Sequence, residues 1–118
     1  MRLLLVDDDI DACTTLAEIL ESLGHEVRTA HDGASAIDLA TAFVPEVVLC
    51  DIGLPDLDGY QVARRLRAQP VTSAARLIAL TGYGQDSDRK NAERAGFDLH
   101  LAKPIRLETL TAALGTPR

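Results

Sequence analysis

Three nearly continuous apolar runs constrain the fold of this chain more than any other feature of its sequence. They lie in predicted strands at 2–6, 47–51 and 77–81, and such runs are typical of central parallel strands that are covered on both faces. An alternating segment at 26–30 and a short one at 99–102 are predicted to be edge strands. Helical periodicity fills the intervals, so five β-α units follow one another. This order predicts an α/β fold with right-handed crossovers and a doubly wound sheet.

The intervening helices differ in how much apolar surface they offer. In the first helix an apolar stripe is predicted to end at Gly24, and Asp9 is the expected N-terminal cap; the stripe comprises Cys13, Leu16, Ile19, Leu20 and Leu23. The fourth helix, at about 86–95, has only Ala92 and Ala95 as apolar residues. Because it can bury little surface, we expect it to be the least firmly anchored element.

Length and composition narrow the class of protein. The 118 residues fit a single domain, 1–118, and 47% of them are hydrophobic, which is enough for a packed core. A net charge of −6 argues against a nucleic-acid surface. No apolar stretch is long enough to cross a bilayer, so no membrane contact is expected. Cys13 and Cys50 lack the spacing of a disulfide framework and are expected to be reduced core residues of a cytoplasmic protein.

Acidic residues and one lysine follow the predicted strands. Asp7 and Asp8 come after the first strand, Asp51 ends the third, Thr81 ends the fourth and Lys103 follows the fifth. In open α/β sheets the binding crevice lies outside the carboxyl ends of the strands. Carboxylates that converge there repel one another unless one is protonated or a cation lies among them. An all-oxygen ligand set favours Mg²⁺, with Mn²⁺ as the alternative.

Asp51 is the best candidate for a nucleophile that takes up a phosphoryl group as an acyl phosphate. The cation and Lys103 would offset charge on the phosphoryl oxygens, and Thr81 could place its hydroxyl on one of them. Taken singly, each residue has an ordinary structural explanation. A strand-end Asp is usually a turn former or helix cap, and a lone Lys is usually solvated. Their combination at the ends of four strands favours the functional interpretation.

Over essentially its whole length, the chain resembles the receiver domain of two-component response regulators. The matching segments are 6–9, 51–59, 79–82 and 103–104. The resemblance implies a flavodoxin-like (βα)5 three-layer sandwich with a parallel sheet of order 2-1-3-4-5. It also implies a phosphoacceptor rather than an enzyme in its own right. The domain would belong to a hybrid sensor histidine kinase or be a stand-alone single-domain regulator.

The resemblance further assigns roles to the site residues. Asp51 would accept a phosphoryl group from the phosphohistidine of a histidine kinase or histidine phosphotransfer domain. Asp8, Asp51 and the Gly53 carbonyl would hold Mg²⁺, with Asp7 acting partly through water. Thr81 and Lys103 would contact the phosphoryl oxygens, and the Lys103–Pro104 peptide would be cis. The face formed by helix 4, strand 5 and helix 5 would report the state and could support a homodimer.

Two positions depart from the commonest pattern of that family. The switch position that pairs with Thr81 usually holds Tyr or Phe, whereas here it is His100, so the switch is expected to be altered or to respond to pH. Gly53 has no side chain to orient an attacking water, and Tyr83 is bulky. We therefore predict a longer-lived acyl phosphate than in receivers with polar side chains at these positions.

Three other classes of protein fit these residues less well. A small aspartate-nucleophile phosphatase needs a second Asp two residues after the nucleophile, where this chain has Gly53. A flavin carrier of the same sheet order needs a phosphate loop after the first strand, where the acidic run 7–9 would repel the phosphate. A pseudo-receiver would bind partners without being phosphorylated, and the complete set of site residues argues against it.

Overall fold

Five parallel strands form one sheet in the order β2-β1-β3-β4-β5. The computed structural model describes residues 1–82 and 89–115. Its strands are β1 (Arg2–Val6), β2 (Glu26–Ala30), β3 (Val47–Asp51), β4 (Arg76–Thr81) and β5 (Leu99–Ala102). The predicted doubly wound sheet, its order and its two edge strands are confirmed, and the only shift in a strand boundary is that β4 begins one residue earlier than expected.

Five helices alternate with the strands in the part of the chain that the structure describes. They are α1 (Ile10–Ser22), α2 (Gly33–Phe43), α3 (Gly59–Ala68), α4 (Arg89–Ala95) and α5 (Leu107–Leu114). Asp9 caps α1 by accepting a hydrogen bond from the Ala12 amide, and Asp58 forms a capping box with Gln61 at the start of α3. Residues 86–88, where the fourth helix was predicted to begin, lie outside the described residues.

The core is divided by the sheet into two layers of side chains, which gives the three-layer sandwich. Alternate residues of each central strand point to opposite faces, and both faces are covered. On one face the helices contribute Ala36, Ala40, Val62, Leu66, Ala92 and Ala95. On the other face they contribute Cys13, Ala17, Leu20, Leu110, Ala113 and Leu114. This double coverage is the reason that β1, β3 and β4 are apolar at both alternating sets of positions between their charged or polar end residues.

The predicted apolar stripe of α1 is partly wrong. Leu20 is fully buried, but Ile19 is 39% exposed and Leu23 is 51% exposed. The stripe is wider than the surface that α1 covers, so its flank and its last residue face outward.

Among the described residues no helix combines the length and apolar character needed to cross a bilayer.

The turn from β3 into α3 is packed too closely for a side chain. The Gly59 amide donates to the Ile52 carbonyl at 2.9 Å. A Cβ atom on Gly59 would lie 2.7 Å from the Asp51 carbonyl oxygen and 2.7 Å from the Ile52 Cα atom. The absence of a side chain therefore lets α3 start directly against the end of β3, where Asp51 is located.

Candidate functional site

Three carboxylates come together at the carboxyl edge of the sheet. Asp7 and Asp8 follow β1, Asp51 is the last residue of the neighbouring β3, and one oxygen from each lies within 4.8 Å of the others. Asp7 and Asp51 are buried, whereas Asp8 is exposed. Close carboxylates at a rim with one exposed member form a set of oxygen ligands that a divalent cation can reach from solvent.

Lys103 provides the positive charge at this site. Its Nζ atom donates to Asp7 Oδ2 at 2.9 Å and to Asp51 Oδ2 at 3.0 Å. The Lys103 amide donates to the Thr81 carbonyl at 2.8 Å, and the Lys103–Pro104 peptide is cis. The side chain of Lys103 is 32% exposed. A single ammonium group thus bridges two of the three acids from the end of β5.

Burial and charge act in opposite directions on these groups. Burial raises the pKa of Asp7 above its usual value, although hydrogen bonds from the Asp9 amide and from Lys103 oppose the shift. Burial alone would lower the pKa of Lys103, but its hydrogen bonds to Asp7 and Asp51 outweigh that effect and raise the pKa. Lys103 therefore stays charged at neutral pH. A cation beside Asp7 would favour its charged form.

The carboxylate of Asp51 is held on both of its oxygens. The Gly53 amide donates to Oδ1 at 3.0 Å, and Lys103 donates to Oδ2. The next residue in the chain, Ile52, donates its amide to the Leu80 carbonyl at 3.1 Å, which fixes the turn to β4. Gly53 itself is exposed. Asp51 is thus oriented by its neighbours while one side of the site stays open.

Thr81 and His100 contact one another beside this cluster. Thr81 ends β4 and is 2% exposed, and its Oγ1 atom lies 3.0 Å from His100 Nε2. His100 is half-buried in the edge strand β5. It also lines a cavity of about 220 Å³ between α4 and β5, together with Ala92, Glu93, Phe97, Asp98 and Leu99. The side chains of these two positions are thus joined by a direct hydrogen bond.

His31 was missed as a neighbour of the site. Positions on either side of the edge strand 26–30 predict that His25 and His31 are exposed, but both are half-buried, and His31 Nδ1 lies 2.9 Å from the Asp7 carbonyl oxygen. His31 follows β2, which is the neighbour of β1 in the sheet. The strand order 2-1-3 would have placed it beside Asp7. Local sequence around His31 does not reveal the contact.

The loop after Asp51 is tied to α2 by a second carboxylate. Asp56 accepts hydrogen bonds from the Gly33 amide at 2.7 Å and from the Ala34 amide at 3.0 Å. These two hydrogen bonds, with a third from the Leu57 amide, lower the pKa of Asp56 to about 2. The loop after Asp51 is therefore anchored to the start of α2 by a charged group.

The two cysteines are buried free thiols, as predicted. Burial raises the pKa of Cys50 far above its usual value and raises that of Cys13 to about 11. Since the thiolate is the reactive form, the position of Cys50 next to Asp51 gives it no nucleophilic role. Of Cys50 and Asp51, only Asp51 has a side chain that can react with a ligand.

The sheet order and the acid cluster with its bridging lysine define a receiver-type α/β domain. The chain belongs to the family described as the response regulator receiver domain, whose model matches residues 3–115. This membership confirms the resemblance found in the sequence.

Among curated relatives, Protein PilH of Pseudomonas aeruginosa is 38% identical over 109 residues, which are 92% of this chain and 90% of PilH. A solved receiver domain of a P. aeruginosa sensor histidine kinase has a magnesium ion coordinated in its active site cleft. It is 36% identical, with a TM-score of 0.87, and 96% of this chain covers 93% of that one. A Burkholderia pseudomallei response regulator carrying a phosphorylated aspartic acid, a calcium ion and citrate is 35% identical, with a TM-score of 0.88. The match spans 98% of this chain and 66% of the Burkholderia chain.

Proposed function

We propose that residues 1–118 form a single receiver domain in which Asp51 accepts a phosphoryl group from a phosphohistidine in a Mg²⁺-dependent reaction. The observation that carries this proposal is the bridge from Lys103 to both Asp7 and Asp51 within a cluster of three acids. A structural salt bridge alone needs one acid for one lysine. The surplus of negative charge at an open rim is what a cation requires, and a bound cation together with Lys103 could then attract the oxygens of a phosphoryl group.

The transfer is a displacement at phosphorus. An oxygen of the Asp51 carboxylate forms the new P–O bond while the P–N bond to the donor imidazole breaks, and the imidazole leaves as the neutral ring after taking up a proton. The Gly53 amide and Lys103 hold the two Asp51 oxygens before the reaction. Orientation of the nucleophile in this way lowers the entropic part of the barrier.

Asp7, Asp8, Asp51 and the Gly53 carbonyl are the groups that would hold the cation. All are oxygen donors, which fit Mg²⁺ and also Mn²⁺. When bound, Mg²⁺ neutralises charge that develops on the phosphoryl oxygens. The magnesium ion in the related sensor kinase receiver and the phosphorylated aspartic acid in the Burkholderia regulator support the assignment.

Lys103 and Thr81 are proposed to contact the phosphoryl oxygens. Lys103 already donates to Asp51, so a phosphoryl group attached there would lie within reach of the same ammonium group. Thr81 is the last residue of β4, the strand next to β3. The residue before it, Leu80, pairs with Asp51 in the sheet. A buried hydroxyl at this place can donate to an oxygen of the incoming group.

The donor is proposed to be a histidine kinase or a histidine phosphotransfer domain. Beside Lys103 an open cavity of about 490 Å³ runs along α1, and its apolar lining includes Leu16, Ile19 and Ile105. Apolar surface next to an exposed acidic rim supports docking of another protein over the site. Phosphorylation would be reported through the face formed by α4, β5 and α5, which is also the surface for a homodimer. We propose no contact of this domain with nucleic acid or membrane.

The parent protein is proposed to be either a hybrid histidine kinase or a stand-alone regulator. The sensor kinase receiver supports the first arrangement, and PilH, of which this chain covers 90%, supports the second. The domain assists its own phosphorylation and dephosphorylation but is not proposed to be an enzyme in its own right. Two buried free thiols support the reducing cytoplasm as its compartment.

Intact-mass spectrometry tests the proposed function. The chain is incubated with acetyl phosphate and Mg²⁺, and a gain of about 80 Da is expected, as for any added phosphoryl group. Asp51→Asn and an excess of EDTA should each abolish the gain. Equal labelling of the wild-type chain and Asp51→Asn would overturn the proposal, as would the absence of any gain in the wild-type chain. Asp38→Asn, an exposed acid on α2, serves as the matched control.

A further inference from the structure

Among the described residues, the Thr81 hydroxyl group has two hydrogen-bonding partners. Its Oγ1 atom lies 3.0 Å from His100 Nε2 and 3.4 Å from the Leu101 carbonyl oxygen, so the two groups can compete for its proton. His100 pairs with Ala79 and Thr81 with Ala102 in the parallel ladder, so His100 and Thr81 lie diagonally on the same face of the sheet. That face is the one covered by α4. Thr81 is thus held from the side opposite to Asp51.

A hydroxyl group has one proton to donate, and this limits what Thr81 can do. If His100 Nε2 carries no proton, it accepts the proton of Thr81, and none is left for a phosphoryl oxygen. If Nε2 carries a proton, it donates to Oγ1, and the hydroxyl proton is free to point elsewhere. The protonated imidazolium always has a proton on Nε2. Neutral imidazole has one there in only one of its two tautomers.

We propose that His100 is a positioning residue for the phosphoryl site, whose protonated ring turns the Thr81 hydroxyl towards the phosphoryl group. This inference rests on the proposed function and adds a dependence on pH to it. Because an imidazole normally changes charge between about pH 5 and 8, the phosphorylated form is favoured as the pH falls through the titration of this ring. By linkage, occupancy of the phosphoryl site favours the protonated ring.

Charged groups from several elements lie near His100 or at the ends of its neighbouring strands. Glu93 of α4 and Asp98 before β5 line the same cavity as His100. Asp98 also accepts hydrogen bonds from Arg67 Nη2 and from the Leu77 amide, both at 2.8 Å. On β4 the charged residue, Arg76, is at the far end of the strand. Lys103, three residues after His100, is directed to the acid cluster. Among the described residues that line the cavity with His100, the charged ones are therefore Glu93 and Asp98, and Asp98 is paired with Arg67.

The first test follows the ring by NMR in the wild-type chain. The ¹⁵N and ¹³C resonances of His100 are titrated between pH 5 and 8.5 with Mg²⁺ alone and with Mg²⁺ plus beryllium fluoride, a stand-in for the phosphoryl group. The midpoint of the His100 titration should move upward on addition of beryllium fluoride, and above the midpoint with Mg²⁺ alone Nε2 should be the unprotonated nitrogen that accepts from Thr81. His25, at the opposite end of the sheet, is the internal control. An unchanged His100 midpoint in a chain that binds beryllium fluoride would overturn the inference.

The second test compares variants by their pH profiles. His100→Gln offers an N–H donor that does not titrate, whereas His100→Phe offers none. The affinity for beryllium fluoride is measured in Mg²⁺ from pH 5.5 to 8. The ratio of wild-type to His100→Gln affinity should fall about fivefold or more as the pH rises, the size expected for one hydrogen bond to a charged group. A ratio that is constant with pH would overturn the inference.

His100→Phe separates positioning from packing. Its affinity should be lower than that of the wild-type chain at low pH and should not change with pH, and the difference should vanish in a Thr81→Val background. A loss that persists in that background assigns His100 a packing role and overturns the inference. These outcomes are distinct from failure of the proposed function, in which the wild-type chain neither gains a phosphoryl group at Asp51 nor binds beryllium fluoride.

Discussion

Lys103 Nζ lies 3.0 Å from Asp51 Oδ2, a contact between residues 52 positions apart in the sequence. The same ammonium group lies 2.9 Å from Asp7 Oδ2. Lys103 therefore links the ends of three strands, β1, β3 and β5. It holds the acids close together while leaving the exposed Asp8 on the open side of the cluster. This arrangement concentrates negative charge at an open rim, where a cation can bind it.

Replacement of Lys103 should separate cation binding from phosphoryl transfer. Lys103→Met removes a positive charge from the acids, so the affinity for Mg²⁺ should rise. Phosphorylation by acetyl phosphate should nevertheless slow by about 100-fold, because one charged stabiliser of the transferring group is lost. Isothermal titration and the rate of mass gain measure the two effects. Lys90→Met, at an exposed position on α4, should leave both unchanged. Phosphorylation of Lys103→Met at the wild-type rate would contradict the assigned role.

The lifetime of the acyl phosphate should depend on the residue at position 53. Gly53 is exposed and places no polar side chain beside Asp51. Tyr83, the other residue on which this prediction depends, lies outside the described residues. We expect the wild-type phosphoryl group to persist for minutes or longer in Mg²⁺ buffer. Gly53→Asn should shorten its half-life about tenfold by orienting water for attack.

Decay of the phosphorylated mass after removal of the donor measures this lifetime. Gly53→Ala adds a methyl group without a hydrogen-bonding group, and it therefore separates the polar effect from the steric one. A wild-type half-life of seconds would show that the missing side chain does not limit the attack of water.

Gly59→Ala should destabilise the fold even though alanine is the better helix former. Helix propensity alone would favour alanine by up to about 1 kcal/mol. Here the new Cβ would lie 2.7 Å from the Asp51 carbonyl oxygen, and overpacking of this kind costs about 1–3 kcal/mol. Urea unfolding gives the difference. Arg64→Ala on the exposed side of α3 should stay within about 0.5 kcal/mol of wild type. A Gly59→Ala chain as stable as wild type would show that the turn can relax.

Asp56 should make stability depend on acid pH. Its pKa is lowered from 3.8 to about 2, so the folded state favours the charged form. The stabilisation is present above pH 3.8 and is lost as the pH falls towards 2. Asp56→Asn should therefore unfold at lower urea than wild type at pH 7, and the gap should narrow below about pH 4. Asp38→Asn should stay close to wild type throughout. A gap for Asp56→Asn that does not change with pH would rule out the charge as its cause.

The fold could be predicted from the sequence because its signals are local. Continuous apolar runs mark strands that are covered on both faces, and Asp9 and Asp58 mark helix starts. The exposed position of Ile19 could not be predicted in this way. A helical stripe shows which side of α1 is apolar but not how far its neighbours extend over it.

The sequence could predict which residues lie at this edge of the sheet, but not the contacts that they make with one another. The positions of Asp7, Asp51 and Lys103 at strand ends place them at one edge of the sheet. That Lys103 bridges two acids, rather than extending into solvent, depends on the path of the chain after β5. The contact of His31 with the Asp7 carbonyl oxygen likewise depends on strand order, since 24 positions separate the two residues in sequence.

Chemical trapping of the acceptor tests the central claim most directly. The chain is phosphorylated in Mg²⁺ and treated with sodium borohydride, which reduces an aspartyl phosphate to homoserine. It is then digested and sequenced by mass spectrometry. The account predicts homoserine at position 51 and intact aspartate at positions 7 and 8. Homoserine at position 7 or 8, or stable phosphate on another residue type with position 51 unchanged, would contradict it.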